Sequence, residues 1–156
     1  MHSGTRMLRR TAPFLAPLAL LLAACDGGGG SPTETTPKNA QIGGSWAYTV
    51  TNLTGAGLNC SIRDVVLTFN QSGTTFSGTY SSGTLNCGSA GSASARGGVV
   101  ASGTVSGTSV AFDMDTTDWR NTGTLSGATI SGTTTMRLNL QTGVVVMTGT
   151  FSAVKQ

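Results

Sequence analysis

The sequence predicts an all-β fold: an antiparallel up-and-down meander of eight strands that closes into a small β-barrel. From residue 42 onwards, apolar and aromatic residues alternate with Ser and Thr, which is the period-two pattern of strands with one buried face. Short turn sequences containing glycine separate these runs, and short turns join antiparallel neighbours. A recurring Ser/Thr-Gly-Thr segment places glycine inside strands, as expected where barrel strands coil sharply or approach closely. The glycines of this segment are Gly78, Gly103, Gly123, Gly132 and Gly149.

The alternating runs can be followed in chain order. The first has Trp46, Tyr48 and Val50 on one side, and a later run has Phe112 between Ala111 and Asp113. Turn sequences lie at 71–73, 106–107, 126–127 and 141–143. The predicted strands are 43–52, 62–70, 74–82, 97–105, 108–115, 119–126, 129–140 and 144–154. The segment from Gly83 to Gly97 is a long connection in this prediction.

The N-terminus has the character of a secretory leader. The first ten residues contain Arg6, Arg9 and Arg10 and no acid, and an apolar stretch runs from residue 11 to residue 22. This stretch is shorter than the roughly 20 residues that span a bilayer as a helix. It ends in a motif that resembles the lipobox of bacterial lipoproteins, Leu22-Ala23-Ala24-Cys25.

The lipobox resemblance implies a division of the chain. Residues 1–24 are then a lipoprotein signal peptide, and Cys25 becomes the lipidated first residue of the mature protein. Its acyl chains, palmitate among them, would hold the protein at the inner or outer membrane of a bacterial cell envelope, with its domain outside the cytoplasm. Residues 25–41 are rich in Gly, Ser, Thr and Pro and are predicted to be a flexible tether. Residues 42–156 are long enough for a single domain with its own core.

The composition excludes several classes of function once the leader is removed. The chain has nine basic and six acidic residues, and three of the nine basic residues lie in the leader, so the mature chain has six of each and no basic surface for nucleic acid. The only histidine is His2, which also leaves with the leader. A mature chain without histidine lacks the Ser-His-Asp and Cys-His arrangements and the usual zinc ligands. We therefore expect a non-enzymatic protein without a cofactor.

Two cysteines remain if Cys25 carries lipid. Cys60 and Cys87 would then lie in an oxidising compartment, where a pair of cysteines favours a disulfide over two free thiols. In the chain-entropy treatment, a loop of this length stabilises the fold by about 3.5 kcal/mol.

Short motifs resemble the calycins, the family of lipocalin and avidin barrels. Gly44-Ser45-Trp46 resembles their Gly-x-Trp opening, and the segment 76–80, Phe-Ser-Gly-Thr-Tyr, is similar to the third strand of avidin-type proteins. Thr117-Asp118-Trp119 resembles the second lipocalin motif, which normally carries Tyr. The resemblance implies a calycin-like barrel.

Inward aromatic residues are the candidates for a ligand pocket, and their alternative role is to fill the barrel. They are Trp46, Tyr48, Phe69, Phe76, Tyr80, Phe112 and Trp119. A cluster of Asp113, Asp115 and Asp118 offers hard oxygen ligands for Ca²⁺, but it lacks the glycine and the distal glutamate of an EF-hand. We therefore favour a solvated turn there over a metal site.

Two functions follow from these features. The first is a membrane-anchored envelope lipoprotein whose calycin-like barrel binds a small apolar ligand. The alternative is a structural or protein-interaction lipoprotein with a filled barrel, in which the 83–97 segment meets an envelope protein. A cavity inside the barrel favours the ligand, and a packed interior favours the partner. The alternation does not say which side of the strands faces the interior. A membrane-spanning barrel, with its apolar side towards lipid, is the less favoured arrangement.

Overall fold

The protein is described by a computed structural model that covers residues 38–115, 118–140 and 143–156. The predicted signal peptide, Cys25 and residues 26–37 of the predicted tether lie outside these ranges. The strands are β1 (Gly44–Gly55), β2 (Leu58–Ser72), β3 (Thr75–Tyr80), β4 (Gly83–Asn86), β5 (Ser92–Ala95), β6 (Gly98–Ser106), β7 (Ser109–Met114), β8 (Trp119–Ser126), β9 (Thr129–Leu140) and β10 (Gly143–Lys155). A short 3₁₀ turn, Gly88–Ala90, joins β4 to β5. Within the described ranges, no helix has the length and apolarity needed to cross a membrane.

Eight of the strands form a closed antiparallel barrel, which confirms the predicted architecture. Around the barrel the order is β1, β10, β9, β8, β7, β6, β3 and β2, and β2 pairs again with β1 to close the cylinder. Most neighbours around the barrel are also neighbours in sequence, as in a meander. Closure leaves the barrel itself without an unpaired edge.

The segment from 83 to 97 differs from the prediction, because it contains a β-hairpin and not an irregular connection. Strand β4 pairs with the first part of β2, where Ser61–Arg63 lie opposite Thr84–Asn86, and β5 pairs with β4. The alternation rule does not detect this hairpin because most of its side chains are small or exposed. Strand β4 directly follows β3 along the same side of β2, and β5 directly precedes β6. The hairpin therefore extends these two barrel strands beyond the end of the barrel.

The apolar side of the alternating runs faces the barrel interior. Trp46, Tyr48 and Phe112 are buried there together with aliphatic residues from the other strands. The outer face carries threonine pairs between neighbouring strands, for example Thr51 with Thr150, whose hydroxyl oxygens are 3.0 Å apart. The barrel therefore has an apolar core and a largely polar outer face.

The motif glycines lie where neighbouring strands approach each other too closely for a side chain. Gly123 and Gly132 face each other across β8 and β9. A methyl group on Gly132 would overlap the carbonyl oxygen of Thr122, and one on Gly123 would lie 2.5 Å from that of Ser131. The predicted reason for these glycines, close approach inside coiled strands, is confirmed.

One end of the barrel is closed by the residues that precede β1. Ile42 is fully buried, and its carbonyl oxygen accepts a hydrogen bond of 2.8 Å from the indole Nε1 of Trp46. The backbone amide of Ile42 donates to Oε1 of Gln71, and that of Ala40 donates to the carbonyl oxygen of Gly107. The chain therefore enters the domain at this closed end, beside the β2–β3 and β6–β7 turns.

Candidate functional site

A cleft lies at the other end of the barrel, between the β4–β5 hairpin and the turn after β7. Its volume is about 320 Å³. The lining combines apolar side chains with a polar rim: Ile62, Tyr80, Leu85, Ser94, Ala95, Arg96, Asp115, Asp118, Trp119, Met136, Arg137 and Leu138.

The cleft exists because two neighbouring parts of the sheet end at different heights. Strand β7 ends at Met114, which is paired with Val100 of β6. The chain that leads into β6 extends further, as β5, and pairs there with β4. Among the described residues, no strand lies on the other side of β5. The space beside this unpaired edge opens into the cleft.

The floor of the cleft is apolar and is held in place by packing. Most core side chains are at most 3 % exposed, whereas Tyr80, Trp119 and Met136 are 5 %, 7 % and 8 % exposed. These three side chains line the cleft. The rings of Tyr80 and Trp119 meet edge to face, with centroids 6.0 Å apart, and Nε1 of Trp119 donates a hydrogen bond of 2.8 Å to Oγ1 of Thr134. The floor is therefore a fixed apolar surface at the top of the core.

The rim carries charges of both signs. The hydroxyl of Tyr80 donates a hydrogen bond to Oδ2 of Asp115. Burial, together with this carboxylate, raises the pKa of Tyr80 well above its usual value of 10. Arg96 and Arg137 also line the cleft, and among the described residues neither guanidinium is within salt-bridge distance of a carboxylate. These two guanidinium groups are therefore able to bind an acidic group of a ligand or partner.

A buried polar layer lies directly below the floor. Asn121 and Thr134 form the next inward pair after Trp119 and Met136 along β8 and β9, and both are buried. The hydroxyl of Tyr48 donates a hydrogen bond of 2.8 Å to Oδ1 of Asn121, and among the described residues the Nδ2 atom of Asn121 has no partner. This asparagine is not among the predicted pocket residues, although its place two residues after Trp119 indicates an inward side chain.

The structure brings the seven predicted pocket residues together as a packed core. Only Tyr80 and Trp119 among them line the cleft. The aromatic contacts run without interruption from the cleft to the closed end, with ring centroids between 4.8 and 6.5 Å apart. The rings in contact are Tyr80, Trp119, Tyr48, Phe151, Phe112, Phe76, Phe69 and Trp46, of which Phe151 was not among the predicted pocket residues.

The three aspartates are divided between different environments. Asp113 forms an ion pair of 3.1 Å with Nε of Arg120, which is exposed. Asp115 accepts the hydrogen bond from Tyr80, and Asp118 lies at the rim, where its carbonyl oxygen accepts from the amide of Arg137. In the part of the chain that the structure describes, no three potential metal ligands come together.

A disulfide joins Cys60, near the start of β2, to Cys87, directly after β4. The predicted pairing is confirmed. The bond attaches the far end of the hairpin to the barrel, close to the point where β4 has paired with β2. The β4–β5 hairpin, which forms one wall of the cleft, is therefore covalently attached to β2.

Comparison of the chain with protein-family models, with curated proteins and with solved structures finds no significant match.

Proposed function

We propose that this protein is a lipid-anchored, non-enzymatic lipoprotein of a bacterial cell envelope that acts by binding a partner protein. The observation that carries this choice is the packed interior. Side chains from facing strands fill the barrel with continuous aromatic contacts from Trp46 to Tyr80. A filled barrel is a rigid scaffold, and its binding groups then lie at its ends and outer face.

The entry point of the chain supports this arrangement. The residues before β1 enter at the closed end, and the hairpin and the cleft lie at the opposite end. The chain that leads from Cys25 would thus join the domain at the end that lacks the cleft. The absence of histidine from the mature chain and the restriction of glutamate to Glu34 in the tether support a non-enzymatic role.

The anchor is tested by replacing the acylated thiol. In the host bacterium, Cys25→Ala should move the protein from the membrane fraction to the soluble fraction, because the acyl chains supply the membrane affinity. The matched control is Cys60→Ala/Cys87→Ala, which also replaces cysteines by alanine but keeps Cys25 and should remain in the membrane fraction. Unchanged fractionation of Cys25→Ala would contradict the anchor.

The partner is tested by photo-crosslinking in intact cells. Benzoylphenylalanine at Ser94 of the hairpin should give one discrete protein adduct, because this residue lines the cleft. The same group at Ser126, the last residue of β8 and at the closed end, serves as the comparison. If benzoylphenylalanine at Ser94, at Ser126 and at positions around the outer face gives no adduct, the interaction function is wrong.

The apolar floor of the cleft favours a second candidate function, the binding of a small amphipathic ligand. The chain offers a pair of matched reporters, because Trp46 and Trp119 are its only tryptophans and lie at opposite ends of the core. If laurate occupies the cleft, it should change the fluorescence of Trp46→Phe, in which Trp119 remains. It should leave that of Trp119→Phe unchanged. Equal responses from both variants, or none, would exclude this candidate.

A further inference from the structure

The outer edge of β5 is an unpaired strand edge beside the cleft. Strand β5 pairs with β4 through all four of its residues, and among the described residues no other strand pairs with it. In antiparallel strands, every second residue directs its N–H and C=O groups to the same side. The backbone groups of β5 that point away from β4 are therefore directed to the cleft side, and such an edge is a template for another extended chain.

The inward face of the hairpin ends abruptly at this edge. Ile62, Leu85 and Ala93 are aligned across β2, β4 and β5. Ile62 is buried, Leu85 is partly buried and Ala93 is exposed. Ala95, two residues further along β5 and on the same face, lines the cleft together with Trp119 and Met136. A strand added beside β5 would continue this face, and an inward side chain next to Ala95 would lie over the apolar floor formed by Trp119 and Met136.

The charges at the rim fit an acidic residue in such a strand. Arg96 directly follows β5, and Arg137 lies on β9 across the cleft. The rim also contains Asp115 and Asp118, of which Asp115 is held by the hydroxyl of Tyr80. The two guanidiniums have no such carboxylate partner among the described residues.

We propose that an extended segment of the partner protein docks along β5 as an additional antiparallel or parallel strand. Its backbone pairs with the unpaired edge, one apolar side chain covers the Trp119 floor, and an acidic side chain meets Arg96 or Arg137. This inference rests on the proposed interaction function and specifies the partner's binding segment: a short, extended, apolar and acidic stretch of polypeptide.

The probe is a displayed library of random peptides of about ten residues, the length of a long strand. It is selected against the full-length lipoprotein in detergent micelles. We expect enriched peptides with alternating apolar residues and at least one acid. Binding should weaken about tenfold or more in Arg96→Ala/Arg137→Ala and remain unchanged in the matched control Arg63→Ala, which removes an exposed arginine from β2.

Two proline variants test the backbone contact. In Ala93→Pro and Ser94→Pro, one proline removes an N–H that faces β4 and the other removes one that faces the free edge. Hydrogen exchange of the β4 amides identifies the variant that keeps the hairpin intact. That variant should lose peptide binding with an unchanged melting temperature. Equal peptide binding by the wild type and this variant would overturn the proposal.

The remaining outcomes separate this inference from the proposed function. The selection could enrich no peptide while laurate slows hydrogen exchange of the β5 amides. This combination would mean that the cleft binds a small ligand. Concentration-dependent dimerisation that the edge-facing proline abolishes would make a second copy the occupant. Both results overturn the proposal. A partner adduct could instead form in cells from another surface of the protein, with the same yield in the proline variant that removes the edge-facing N–H of β5. That result overturns the β5 site only, and the proposed interaction with a partner protein remains supported.

Discussion

At the residue scale, the two tyrosines are the most informative titratable groups. They are the only tyrosines of the chain, and both lie in the aromatic contacts of the core. Burial raises the pKa of Tyr48 well above its usual value of 10, and burial with the Asp115 hydrogen bond does the same for Tyr80. In both cases the folded state favours the neutral hydroxyl.

This predicts an unusual alkaline titration. The native protein should show little tyrosinate absorbance at about pH 11, whereas the unfolded chain should titrate both groups near pH 10. Since the pKa is higher in the folded state, this stabilisation is complete below pH 10 and is lost as the pH rises towards the folded-state values. Absorbance titration with and without guanidinium chloride measures both effects. A native transition close to pH 10 would contradict the burial of the hydroxyls.

The pair of Tyr48 and Asn121 is the other informative residue-scale feature. Within the described residues, the hydroxyl of Tyr48 is the only hydrogen-bond partner of the Asn121 side chain. The Nδ2 atom of Asn121 is buried and has no partner there. An unpaired buried polar atom costs free energy, so this asparagine is a weak point of the core.

A double-mutant cycle should measure the coupling between Tyr48 and Asn121. Tyr48→Phe should lower the free energy of unfolding by about 1–3 kcal/mol, because it leaves the whole Asn121 amide without a partner. Adding Asn121→Leu should recover much of that loss, since both polar groups are then gone. Chemical denaturation of the two single variants and the double variant gives the coupling energy. Strictly additive losses would show that the two side chains do not interact.

At the scale of elements, the pattern of alternation predicted the eight barrel strands, including the bounds of β8 and β9, and missed one hairpin. The barrel strands alternate because one face packs against the core. The hairpin packs against it mainly through Leu85, which is partly buried, so β4 and β5 lack the contrast between faces that the rule requires. The disulfide that the sequence predicted joins this segment to β2 at Cys87.

The disulfide should control the stability of this hairpin. Cys60→Ala/Cys87→Ala should lower the free energy of unfolding by about 3.5 kcal/mol, because the bond restricts a long loop in the unfolded chain. Amide exchange should accelerate most in β4 and β5, because among the described residues the hairpin is hydrogen-bonded to the barrel sheet through β4 alone, where Ser61–Arg63 lie opposite Thr84–Asn86. Reduction of the wild type should reproduce the effect. Uniform acceleration through β8 and β9 would mean that the bond stabilises the barrel as a whole.

At the scale of the whole molecule, the predicted cleavage changes the charge. The full chain has a formal net charge of +3 and a pI of about 9.1. Removal of residues 1–24 takes three arginines and no acid, which leaves equal numbers of basic and acidic residues. The net positive charge of the chain therefore comes from residues 1–24.

Isoelectric focusing should separate the two forms. Protein processed by the host should focus near neutrality, whereas a precursor that accumulates when lipoprotein processing is blocked should focus near 9. Mass spectrometry of the N-terminal peptide, which should begin at an acylated Cys25, provides the control. A mature protein that still focuses near 9 would show that the leader is retained.

Local patterns in the chain were sufficient for the all-β class, the closed meander, the disulfide and the glycines at close approaches. Each of these depends on periodicity, spacing or residue type along the chain. The filled interior, the cleft and the unpaired edge of β5 depend on how strands distant in sequence end relative to one another. Trp119 illustrates the difference: its inward direction follows from alternation, but its place at the cleft follows from the end of β7 at Met114 and the continuation of β5 beyond it. Such differences in height arise from three-dimensional packing, and no local sequence signal encodes them.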